Sequence, residues 1–182
     1  MTEEVGRGVA LLLALCLAAC GGRAVSDVPV KIGRPYTVRG VTYVPARAPG
    51  YDALGYAGWY GSESGNRTAR GEKFRAKAIS GAHTTLPLPS YVEVTALDTG
   101  RTILVRVNDR GPFVRGRIID LSRGAADELG IRGRGTAAVR VRLVEPSERD
   151  RARLRGGKAA SPRPDADPAT LAGLRQRWME TR

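Results

Sequence analysis

Glycine and proline recur so closely through this chain that no long helix fits between them; 23 glycines and 11 prolines are spread over 182 residues. Both residues disfavour helix interiors and mark turns, which limits the chain to short strands joined by turns. The strand candidates are Tyr56–Tyr60, Tyr91–Ala96, Thr102–Asn108 and Ala137–Val144. The last reads AAVRVRLV, with Val139, Val141 and Leu143 alternating with Arg140 and Arg142. Period two is the pattern of a strand with one buried face. Ile103, Leu104, Val105 and Val107 predict a more fully buried strand, and Asp98-Thr99-Gly100 predicts the hairpin turn before it. One short helix is expected over 123–130, with Asp120 or Ser122 capping its first turn and Gly130 stopping it. Short strands with one short helix make a mainly β fold, a small β-barrel, expected over residues 55–145.

Both ends differ from this middle. Val9–Ala19 reads VALLLALCLAA, too short to cross a bilayer, which takes roughly 20 residues, but suited to the apolar stretch of a secretory signal. It ends in Leu17-Ala18-Ala19-Cys20, which resembles the bacterial lipobox. Residues 1–19 are then a signal peptide, Cys20 is the lipidated first residue, and 20–54 form a tether and a lead-in with two short extended pieces. Glu3 and Glu4 depart from the usual positive start of such a signal. Gly21, rather than Asp, after the cysteine favours the outer membrane, facing the periplasm, over the cell membrane. Residues 146–182 are expected to be a charged, flexible linker and an amphipathic helix marked by Leu171, Leu174 and Trp178.

The net charge of +12 predicts acidic partners. Aromatic residues make up only 5%, and no zinc-finger spacing or RNA-recognition signature is present, so nucleic acid is not expected among them. His83 is the only histidine, and cleavage before Cys20 would remove Cys16, which leaves too few ligands for a metal centre. No cofactor is expected.

Four residues carry possible chemistry. His83 taken alone reads more readily as a structural hydrogen-bonding residue than as a catalytic one. Asp109 ends a buried strand before Arg110-Gly111-Pro112-Phe113. It is either a functional carboxyl on a barrel rim or a turn cap paired with Arg110 or Arg106. Glu72 is a second carboxyl with an equally plain alternative, an exposed surface charge. Asp120 reads best as the helix cap.

Five motifs then carry a resemblance. Gly55-Tyr56-Ala57-Gly58-Trp59-Tyr60-Gly61 resembles the G-x-A-S-W-Y-G opening of the RlpA (rare lipoprotein A) family. Thr68–Phe74 is similar to its T-A-N-G-E-x-F, and Ala82–Pro87 to its A-H-x-T-L-P. Asn108–Phe113 and Arg117–Ser122 resemble N-D-R-G-P-F and R-I-I-D-L-S. The resemblance covers roughly 31–145, with Gly58 in place of serine and Arg70 in place of asparagine. It implies a six-stranded double-psi β-barrel and a lyase activity: lytic transglycosylation of peptidoglycan strands lacking stem peptides, leaving 1,6-anhydroMurNAc ends. Glu72, His83 and Asp109 match the family's proposed catalytic positions. Arg106, Arg110, Arg117 and Tyr60 are the expected substrate-binding residues. The expected partners are glycan strands and, through Cys20, a membrane; the chain is expected to be a monomer. The alternative is a non-catalytic peptidoglycan-binding envelope lipoprotein.

Overall fold

A computed structural model describes residues 25–61 and 65–181. The expected signal segment 1–19 and the expected lipidation site Cys20 lie outside the described residues. Two short strands, β1 (Tyr36–Val38) and β2 (Val41–Tyr43), form a hairpin in the lead-in segment. Its two-residue turn, Arg39-Gly40, has positive φ at both positions, the geometry that matches strand twist in a tight hairpin.

Six strands then close into a barrel: β3 (Asp52–Tyr60), β4 (Ser80–Ala82), β5 (Ser90–Ala96), β6 (Thr102–Asp109), β7 (Arg117–Ser122) and β8 (Ala137–Leu143). Around the barrel the order is β3-β7-β4-β6-β5-β8, with β8 pairing back to β3. The pairs β3–β7 and β4–β6 are parallel and the other four antiparallel. This is the mainly β, six-stranded double-psi barrel that the sequence led us to expect.

The alternation in β8 holds: Val139 and Val141 are fully buried while Arg140 and Arg142 point outward. β6 is buried from Ile103 to Asn108, on both faces, because helices α1 (Arg123–Leu129) and α2 (Glu148–Arg155) pack on its outer side. The helix cap is Ser122, whose hydroxyl accepts from Ala125 N at 3.2 Å, and Gly130 ends the helix in a left-handed conformation. Asp120 is therefore not a cap. It lies inside β7, paired in register with Ala82 and Gly58.

The C-terminal segment is firmly held. Within the stretch expected as charged linker, Glu148–Arg155 forms α2. Ser147 caps it, Glu148 and Asp150 sit in its first turn and Arg153 and Arg155 in its last, which suits the helix dipole. The stretch expected to be flexible is tied down by Ser161 N to Asp150 (2.8 Å), Arg153 Nε to Ala159 O (2.7 Å) and Ala166 N to Gly100 O (2.8 Å). Helix α3 (Pro168–Glu180) buries Leu171 and Leu174 and sets Trp178 edge-on against Tyr56. Here many specific partners outweigh a composition that favours disorder.

Candidate active site

Two carboxyls flank one short strand at the barrel rim. Ala82, at the end of β4, is the register partner of Asp109 on β6 and of Asp120 on β7. Strand spacing puts the two backbones about 9.5 Å apart.

Asp109 is half-buried, and its Oδ1 accepts from Ala69 N (2.7 Å) and Arg110 N (2.8 Å). Among the described residues its Oδ2 receives no hydrogen bond, and no cation pairs with it. Burial pushes its pKa above the ordinary value, as does the nearby Glu72 charge; the two amides and the Arg110 charge oppose this.

Both arginines that could have neutralised Asp109 are engaged elsewhere. The Arg110 guanidinium donates to the carbonyls of His83 (3.2 Å), Leu86 (2.5 Å) and Ile32 (2.8 Å). Arg106 is 2% exposed, grips both Glu72 oxygens at 2.7 and 2.8 Å, and reaches Asp27 Oδ1 at 3.0 Å. Burial and internal partners leave Arg106 no free donor fork for a substrate, whereas Arg110 is half-buried and spends three of its N–H groups on carbonyls.

Glu72 is likewise no surface carboxyl. Burial opposes its ionisation, but Arg106, Asn108 Nδ2 (2.8 Å) and Arg70 (3.3 Å) hold its pKa below the ordinary value. It is a fixed negative charge behind Asp109, not a proton donor.

His83, matched above to a catalytic position, has both ring nitrogens engaged inside the protein. It is buried, its Nδ1 accepts from Thr85 N and Leu86 N (both 3.1 Å), and its Nε2 faces the Tyr51 hydroxyl at 3.0 Å. Two amides aimed at Nδ1 place the proton of the neutral ring on Nε2. Its own backbone N–H donates to Asp109 O at 3.0 Å, so the residue braces the acid. Burial, aided by Arg110, depresses its pKa to about 4. A depressed histidine stabilises the fold above its unfolded pKa near 6.5 and loses that contribution as pH falls through about 4. Between pH 7 and 4.5 the wild-type melting temperature is therefore expected to drop more steeply than that of His83→Gln. Parallel melting curves would contradict this placement.

Tyr60 and Arg117 complete the rim. The Tyr60 ring stacks on Phe74 (5.1 Å), and its buried hydroxyl has no well-formed hydrogen-bond partner among the described residues. Burial, with the charges of Asp109 and Asp120, drives its pKa far above the usual phenol range, so it remains a neutral donor near both acids. Arg117 faces Asp120 Oδ1 at 3.2 Å. The departure at Gly58 makes this possible: a Cβ there would fall 1.8 Å from Arg117 Nη1 and 2.6 Å from Asp120 Oδ1. Burial raises the Asp120 pKa, against Arg117 and the Gly58 amide. Among the described residues no three His, Cys, Asp or Glu side chains gather as a metal site requires.

Sequence reasoning missed Asp120 as a rim acid, because an aspartate just before a helix signals a cap. It also missed Tyr51 and Asp27, which reach the site across 32 and 79 residues of chain.

Residues 52–141 match the lytic transglycolase family. An endolytic peptidoglycan transglycosylase RlpA of Pseudomonas aeruginosa (strain UCBPP-PA14) is 52% identical over 114 residues, 62% of this chain and 33% of that protein. Proteins of the same name from Pasteurella multocida and Vibrio cholerae are 45% and 39% identical, covering 69% and 74% of this chain and 44% and 62% of theirs. The chain thus spans less than two thirds of these curated relatives. With five motifs in family order, a closed six-stranded barrel and this match across its strands, the chain belongs to the RlpA family.

Proposed function

We propose that this barrel is a lyase that cuts peptidoglycan glycan strands lacking stem peptides, with Asp109 as its acid and base. The observation that carries the reading is the state of Asp109: a rim carboxyl raised in pKa, one oxygen fixed by two amides, and no cation paired to it among the described residues. A group prepared in this way holds its proton more readily than an ordinary carboxyl and can deliver it. In the proposed reaction Asp109 protonates the glycosidic oxygen of a MurNAc–GlcNAc bond as it breaks. The C6 hydroxyl of the same MurNAc attacks C1, and the Asp109 carboxylate accepts its proton. The products are a 1,6-anhydroMurNAc end and a new GlcNAc hydroxyl end, and no water is consumed. This differs from hydrolysis, in which a second carboxyl must activate water or attack. Asp120, across Ala82, and the Tyr60 hydroxyl would line the other side of the bond. Glu72 and His83 act through Asp109, the first by its charge and the second by its backbone.

The relatives' names support this reading, as does the pairing of Arg106 with Glu72 rather than with Asp109. The same reading places the protein in the cell envelope, anchored at Cys20, on the outer membrane facing the periplasm, as a monomer. Mass spectrometry of digested peptide-free strands tests it. Anhydro ends are expected; reducing ends would mean a hydrolase, and intact strands a binding protein.

A further inference from the structure

The β1–β2 hairpin carries an aromatic cluster that the reaction above does not use. Tyr36 and Tyr43 stack at 5.3 Å, and Phe113 meets them edge-on at 6.2 Å and tilted at 5.6 Å. All three rings are half-buried. Beside them Val41, Val44 and Val114 are 52%, 59% and 50% exposed, among the most exposed large apolar side chains of the described residues. Phe113 follows Asp109 by four positions, within about 14 Å of chain.

This hairpin is locked in place relative to the acid. The Tyr36 hydroxyl donates to Thr84 O (2.8 Å), and Ala46 N to Thr85 O (3.1 Å). Arg110, next to Asp109, joins Ile32 O of the lead-in to the carbonyls of His83 and Leu86. One guanidinium therefore fixes the distance between the rings and the carboxyl. Arg39 at the hairpin turn and Arg115 beside Val114 are exposed cations at the edges of the cluster.

We propose that Tyr36, Tyr43 and Phe113 form a glycan subsite that holds the sugars of the strand next to the bond Asp109 cleaves. The apolar C–H face of a pyranose ring matches an aromatic surface, and the lactyl carboxylates of peptide-free strands match Arg39 and Arg115. Continuity with the Asp109 loop favours a glycan over a lipid surface. The proposal rests on the glycan-cleaving reading above and adds where the strand lies.

The test uses the full chain carrying Asp109→Asn, so that strands stay intact, and measures affinity for labelled peptide-free strands of increasing length. Tyr43→Leu, which keeps the hairpin's apolar packing but removes the ring, is expected to weaken binding of long strands by about tenfold and leave short fragments unaffected. Tyr43→Phe is expected to bind as Tyr43 does. Arg39→Glu with Arg115→Glu leaves the rings untouched, and is expected to weaken binding and flatten its salt dependence. Unchanged long-strand affinity in both Tyr43→Leu and the double charge reversal overturns the subsite, even where the unmutated chain yields anhydro ends. Loss of vesicle binding instead of strand binding also overturns it. If strand affinity falls with Tyr43→Leu but the unmutated chain yields no anhydro ends, the subsite stands and the cleavage reading fails.

Discussion

Asp109→Asn is expected to lower the release of 1,6-anhydro ends by about 10²–10⁴-fold, the usual contribution of a positioned acid or base. The asparagine carbonyl keeps an acceptor for Ala69 N and Arg110 N, so the rim should hold its shape. Stability gives an independent check. Burial favours the neutral form of Asp109, and a raised acid costs the fold stability as pH climbs through its pKa. The neutral asparagine escapes that cost, so the variant should match or exceed the wild type in melting temperature at pH 7. Wild-type activity should fall as pH rises through the Asp109 pKa, which lies above the ordinary value of 3.8. Undiminished anhydro product from Asp109→Asn would move the acid elsewhere, and Asp120 is the other half-buried rim carboxyl with a raised pKa.

Arg106→Met should be the most damaging single change to stability, at about 3–5 kcal/mol. The side chain is 2% exposed and bonds Glu72, Asp27 and Ser26 O. Methionine fills much of the volume but leaves two partly buried carboxylates facing each other without their shared cation. The loss should appear as a lower denaturant midpoint at nearly constant slope. Glu72→Gln in the same background should recover part of it, since one of the stranded charges is then gone. A cost below about 1 kcal/mol would show that water replaces the guanidinium freely.

Strands were legible where their apolar residues repeat. β5, β6 and β8 each carry valines or isoleucines at the spacing of a buried face, and each was expected close to its true place. β4 is Ser-Gly-Ala and has no such signal; it is a strand only because β6 and β7 supply partners on both sides. β7 holds an arginine and an aspartate that face each other at the rim, which hides its pattern. The site was legible as a list of motifs but not as an arrangement. The Glu72 charge acts on Asp109 and the His83 backbone N–H bonds its carbonyl, yet of the three only Asp109 keeps a side-chain oxygen free of hydrogen bonds among the described residues. The sequence could not show that His83 spends both ring nitrogens internally, because its partners Tyr51, Thr85 and Leu86 are ordinary residues. Nor could it show that the arginines near Asp109 turn away from it.

Asp27 receives Arg106 from the barrel, Arg155 from α2 and the Tyr91 hydroxyl. One carboxylate thus clasps the start of the described chain to β6 and to α2, which follows the last barrel strand. Trimming the protein to its six barrel strands would remove Asp27 and Arg155 together and leave Arg106 with half its counter-charge. A piece that keeps this clasp is therefore longer than the barrel, and runs from the residues before the hairpin through α2.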